Sequence, residues 1–199
     1  MKTAIFGVTL AVAIITCSTG TASAEVFEGV YLGTQLGWNH DEVGRVGVDL
    51  GTADVRKGNH RVSGGVFAGY NRKLSAKILV GTEAGFTMAV DDENHRGISK
   101  VDPEYSFDLS LRSGYFIKTN TMVYVRGGYE NTRALIYGAG PAQQFKDRDN
   151  FGGWSAGSGV EHVIRRDMSV RLEYRYSDLG AKDRSFDRQK VMLGISYHF

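Results

Sequence analysis

The sequence ends on Val191-Met192-Leu193-Gly194-Ile195-Ser196-Tyr197-His198-Phe199. Val191, Leu193, Ile195, Tyr197 and Phe199 alternate with Met192, Gly194, Ser196 and His198. A period of two predicts a β-strand with one apolar face, because successive side chains leave a pleated backbone on opposite sides.

The same alternation recurs upstream and places eight strands near residues 29–39, 62–71, 76–89, 104–117, 121–133, 151–164, 168–177 and 189–199. Their connections alternate in length. Tight turns are expected at Asn71–Ser75, Lys118–Asn120 and Arg165–Asp167. Longer links are expected at Asn39–Arg61, Val90–Pro103, Ala134–Asn150 and Asp178–Arg188. No helical periodicity competes with this reading. Short connections on one side and long ones on the other predict an all-β fold: an eight-stranded antiparallel up-and-down barrel.

Parity sorts the strand residues into two faces. One carries Val30, Leu32, Leu36 and Trp38 from the first strand and Leu109, Leu111 and Tyr115 from the fourth. Val123, Val125, Leu172 and Tyr174 continue it. Within the strand cores this face holds no Asp, Glu, Lys or Arg. A charge at the bilayer midplane would cost ~2–4 kcal/mol, so a charge-free face is what contact with lipid requires. The other face carries Glu83, Asp108, Arg112, Arg126, Glu130, Glu161, Arg171, Glu173 and Arg175, with Gln35, Asn71 and Tyr124.

A soluble barrel also has one apolar and one polar face, with the apolar side inward. Glycine separates the two cases. Gly33, Gly65, Gly69, Gly81, Gly85, Gly128, Gly159 and others lie on the charged face, whereas only Gly64, Gly127 and Gly152 lie on the apolar one. Glycine weakens a strand unless something crowds it. A narrow interior filled with long Arg and Glu side chains supplies that crowding, and a solvated surface does not. The charged face is therefore expected inside and the apolar face against lipid. Aromatic residues near strand ends (Trp38, Tyr105, Tyr115, Tyr176, Tyr197, Phe199) fit interfacial girdles.

The beginning of the chain agrees. Lys2, the apolar run Ala4–Ile15 and the small residues Ala22-Ser23-Ala24 form a secretory signal peptide, expected over residues 1–24, with the barrel domain at 25–199. The single cysteine, Cys17, lies inside that leader. A mature chain without cysteine has no disulfide and no thiolate metal site. Removing Lys2 from 24 Lys and Arg, against 22 Asp and Glu, leaves a formal charge of +1. This balance gives no indication of nucleic-acid binding.

With these features the chain resembles the small eight-stranded outer-membrane barrels, the OmpA-like and opacity-protein-like porin group. Gly29-Val30-Tyr31-Leu32-Gly33 through Gly37-Trp38 resembles that family's first strand, and Ser63–Asn71 its second. Ser169–Gly180 resembles the seventh strand and following loop, and Ser196–Phe199 the terminal strand. The resemblance implies residence in the cell outer membrane among its lipids, and a C-terminal strand whose Phe199 is the signal read by the barrel-assembly machinery. It implies a structural or surface-interacting role, such as envelope integrity, adhesion or contact with a host; that no enzymatic activity and no cofactor are expected follows from the residues themselves.

The nine inward charges predict a buried polar network that plugs the lumen. Eight strands leave room for side chains but not for a wide channel. Buried ions lose several kcal/mol of hydration each, so they need near-complete pairing. The expected registry groups seven of the nine in neighbouring layers, with Asp108 and Glu130 higher. A narrow porin-like channel is the alternative. Haem or metal binding by external-loop histidines, His40, His60 and His95, is another, since acids flank them at Asp41-Glu42 and Asp91-Asp92-Glu93. A lipid-active enzyme would need a nucleophile and base near the outer surface. Gly153-Trp154-Ser155-Ala156-Gly157 matches the letters of a serine-hydrolase elbow but lies within a strand and has no helix after it. Lys146-Asp147-Arg148-Asp149-Asn150 mixes both signs and reads as solvated loop.

Overall fold

Among the described residues, alternation of small or polar with apolar residues produces ten strands: β1 (Gly29–Val43), β2 (Val46–Val48), β3 (Gly51–Ala53), β4 (Asn59–Lys73), β5 (Ile78–Val90), β6 (Ser99–Lys118), β7 (Thr121–Ala139), β8 (Gln144–Arg165), β9 (Met168–Asp178) and β10 (Phe186–His198). The computed structural model describes residues 26–43, 46–48, 51–53, 59–90, 99–139, 144–179 and 186–199. The proposed leader, His95 and part of each long loop lie outside them.

Eight strands close into one antiparallel barrel in the order β1-β10-β9-β8-β7-β6-β5-β4, and β2 and β3 form a separate hairpin. The terminal strand is the seam. Leu36 pairs with Leu193 and Trp38 with Val191, while on the other side Leu193 pairs with Leu172. Strand β10 stops at His198, and Phe199 continues the closure by donating its N–H to the Val30 carbonyl at 3.0 Å. Gly29 adopts φ 105° beside the Phe199 carbonyl, a conformation only glycine takes without strain.

The faces divide as parity requires. Leu36, Leu111, Val125 and Leu193 are each more than 60% exposed on the outer surface. All nine predicted inward charges are buried. Glycine makes the interior possible at particular points: a Cβ on Gly33 would run into the Phe67 ring, and one on Gly85 into the Asp108 carboxylate.

The strands differ from expectation at the long-loop end. Strands β6, β7 and β8 reach Ser99, Ala139 and Gln144, so much of two expected loops is paired sheet. The link expected at 39–61 contributes to β1 and β4 and carries the β2–β3 hairpin. The reason is visible in Lys146-Asp147-Arg148-Asp149. Its residues alternate in sign instead of hydropathy, so a paired strand carries no apolar/polar alternation and reads as a solvated loop.

Candidate functional site

The lumen is layered, beginning at the tight-turn end with an apolar stopper. Phe27, just before β1, is fully buried against Leu79, Phe116, Met122 and Tyr124. Its ring lies 5.4 Å from Phe116 and 5.8 Å from His198. Its carbonyl accepts a hydrogen bond from Asn71 Nδ2 at 3.0 Å. A residue outside any strand carries no alternation, so strand reading does not find Phe27.

Above the stopper, Glu161 accepts from Arg112 at 2.6 Å and from Ser169 Oγ at 2.6 Å. His198 Nε2 stands 2.9 Å from the same hydroxyl and 3.5 Å from Glu161. Serine, histidine and glutamate thus meet, but not as a hydrolytic triad. The Ser169 proton goes to the carboxylate, so the histidine donates to Ser169 instead of taking its proton. All three side chains are buried.

Glu83 is the centre of the next layer. It receives Arg171 at 2.5 Å, Arg126 at 2.6 Å and the Tyr31 hydroxyl at 2.8 Å, with Arg112 at 3.5 Å. Arg126 bridges upward to Asp108 and Ser110, both at 2.5 Å. Arg175 joins Asp108 at 3.0 Å to Glu173 at 2.7 Å, and Tyr124 donates to Glu173 at 2.7 Å. Two arginines also lie over rings: the guanidinium carbon of Arg171 is 3.4 Å from the Phe67 centroid, and that of Arg112 is 4.2 Å from Tyr124. These stacked faces add attraction in a site without bulk water.

The highest layer is built on Glu130. Lys190 donates to it at 2.5 Å, Ser177 at 2.7 Å, and Arg188 lies at 3.5 Å. Arg188 also reaches Ser106 and Thr132. A cavity of about 10 Å³ among Asn39, Ser63, Thr87, Tyr105, Ser106, Arg188 and Lys190 remains, enough for about one water.

Of the nine inward charges expected from sequence, eight form a continuous web. Glu130 sits in the higher cluster, as registry suggested. Asp108 is its direct cross-strand partner, as registry suggests, while its carboxylate pairs with Arg126 and Arg175 of the lower web. The expectation omitted Lys190 and Arg188. Lys190 carries the inward parity of the terminal strand, whereas Arg188 reads as loop in the sequence and lies in β10. Among the buried side chains described, five acids therefore face six Lys and Arg, and Asp41 stands opposite Arg188 in the β1–β10 register.

The histidine alternative rested on external loops. His40 and His60 instead lie in β1 and β4 as direct cross-strand partners, on the outward parity. Among the described residues no group of three or more His, Cys, Asp or Glu is placed to hold a metal ion. Ser155 of the Gly-x-Ser-x-Gly segment is buried in β8, away from any helix start.

Comparison with known proteins places this architecture. The outer membrane protein beta-barrel domain family matches residues 9–199. A 22 kDa outer membrane protein of Rhizobium leguminosarum is 30% identical over 192 residues, covering 87% of this chain and 78% of that protein. A 31 kDa outer-membrane immunogenic protein of Brucella melitensis is 28% identical, with 75% and 70% covered. The crystal structure of Ail, the attachment invasion locus protein of Yersinia pestis, superposes with a TM-score of 0.55 at 16% identity, covering 86% of this chain and 99% of that one. Neisserial surface protein A gives 0.54 at 16% identity, covering 86% and 100%. Closed eight-stranded architecture, an outer face free of charge within the strand cores and this match together place the chain in the outer membrane, as a member of the outer membrane protein beta-barrel domain family.

Proposed function

We propose that this protein is a sealed outer-membrane barrel with a structural and surface-interacting role, and that it neither conducts ions nor catalyses a reaction. The observation that carries this reading is the lumen itself. Charged groups on facing strands pair directly at every level from Glu161 to Glu130, and the stopper around Phe27 fills the tight-turn end. A pore needs a wet path with weakly held charges. A cross-linked interior supports a rigid scaffold, and rigid scaffolds present loops. The tight turns and both chain ends would face the periplasm, with the long connections outside. Relatives named outer-membrane immunogenic proteins support an exposed surface.

The test is a deletion strain complemented with wild type or with Glu83→Gln. Deletion is expected to raise sensitivity to detergent, and an epitope placed in the segment 54–58 is expected to be labelled on intact cells. Unchanged sensitivity together with an unlabelled epitope refutes the role.

A further inference from the structure

At the long-loop end of the lumen, the cavity of about 10 Å³ is bordered by Thr87 of β5, Tyr105 and Ser106 of β6, and Arg188 and Lys190 of β10. Strand β10 lies across the lumen from β5 and β6 in the barrel order. The cavity therefore sits between opposite walls.

The groups around it are donors. The Lys190 ammonium has three N–H groups, and Glu130 takes one at 2.5 Å. Thr87 Oγ1 accepts from Gln35 Nε2 at 3.4 Å, so its own hydrogen is left to donate. The Tyr105 hydroxyl accepts from Arg133 at 3.1 Å and keeps its hydrogen in the same way. Ser106 and Thr132 stand 2.8 Å apart, and Arg188 donates to both at 3.3 Å. One hydrogen serves the bond between the two hydroxyls. With Thr132 as its donor, Ser106 has a hydrogen for the cavity. The amide oxygen at the border, Asn39 Oδ1, already accepts from Ser63 at 3.2 Å.

Charge agrees with this count. Glu130 lies 2.5 Å from Lys190 and 3.5 Å from Arg188, so among the described side chains one carboxylate serves two buried cations. No acid is among the described residues that border the cavity. A water molecule needs acceptors for its two hydrogens, whereas an anion needs only donors. Size then selects the anion. The cavity is on the scale of one water, which excludes phosphate, sulfate and carboxylates and admits a single-atom ion.

We propose that this cavity is a halide site, filled by chloride, with Lys190 and Arg188 supplying charge and the hydroxyls of Thr87 and Ser106 supplying directed donors. The bound ion ties β10 to β5 and β6 across the lumen.

The test is urea unfolding of the refolded protein in lipid vesicles, with chloride exchanged for gluconate, which is too large for the cavity, at constant ionic strength. An ion held only by the folded state raises the folding equilibrium constant about elevenfold at ten times its Kd. The midpoint is expected to rise with chloride, and bromide is expected to act likewise. Thr87→Val keeps the side-chain shape and removes one donor, and it is expected to weaken chloride about tenfold. Ser106→Ala serves the same purpose should Thr87→Val not fold. In crystals soaked in bromide, anomalous density is expected in contact with Lys190 Nζ and the Thr87 hydroxyl. A midpoint that is the same in chloride and gluconate overturns the proposal, as does a chloride effect of full size in both variants. Bromide density that lies only elsewhere overturns it, and so does density at this place without any chloride effect on the midpoint, which would mean an adventitious ion only. A chloride response that appears only in Asp41→Asn also overturns it, because Asp41, opposite Arg188 in the register, would then be the anion that fills the place.

Discussion

Glu83→Gln is the sharpest perturbation of the lumen. The substitution keeps the shape and removes one negative charge from beneath three guanidiniums. Arg171 loses a two-pronged acceptor, with its nitrogens 2.5 and 3.2 Å from the carboxylate oxygens. Arg126 loses a 2.6 Å partner and Tyr31 a 2.8 Å one. Removing one partner of a buried ion pair costs about 3–5 kcal/mol, because the remaining charge stays buried without compensation. Arg126 keeps Asp108 and Arg112 keeps Glu161, so most of the loss falls on Arg171. The assay is reversible urea unfolding of the refolded protein in lipid vesicles, followed by tryptophan fluorescence. With a slope of about 2 kcal/mol/M, the midpoint should fall by about 2 M. Arg171→Met in the same background should return part of the loss, with a coupling of at least about 1 kcal/mol. A midpoint within about 0.3 M of wild type, or strict additivity of the two substitutions, refutes the claim that Glu83 holds the web together.

Three further substitutions probe different parts of the barrel. Leu111→Arg, on the most exposed large apolar side chain among the described residues, should destabilise by about 2–4 kcal/mol in the same unfolding assay, and no loss would mean that this face does not meet hydrocarbon. Adjacent glycines should respond oppositely. A Cβ on Gly128 would strike the Leu109 carbonyl and the Ser110 backbone, while one on Gly127 meets its nearest atom at 3.9 Å. Gly128→Ala should therefore reduce the heat-modifiable folded band on an unboiled gel, and Gly127→Ala should leave it unchanged. Phe27→Ala should lower stability by about 3 kcal/mol by opening a cavity in the stopper, read as a urea midpoint shift, and an unchanged midpoint would mean that Phe27 only rests at the mouth.

The barrel was legible because lipid and a narrow interior impose opposite demands on alternate residues. Leu109, Ser110, Leu111 and Arg112 state that division in four letters. The ion-pair partners were less legible. Parity says that Arg126 and Glu83 face inward, but their meeting depends on barrel stagger, which depends on every register at once. Arg188 was missed because Asp187 and Arg188 read as loop, and Phe27 because a stopper outside the strands has no period. The extensions of β7 and β8 were hidden by their charges. Lys146 to Asp149 alternate in sign instead of hydropathy, so a pattern that sorts faces just as firmly looked like an unstructured run.

Single-molecule current recording in a planar bilayer tests the sealed lumen most directly. Wild-type protein, verified as folded by its heat-shifted migration, should add no steady current above the bare bilayer, because the paired charges from Glu161 to Glu130 and the stopper at Phe27 leave no continuous wet path. A stable, ohmic open state in the folded wild type would contradict the account.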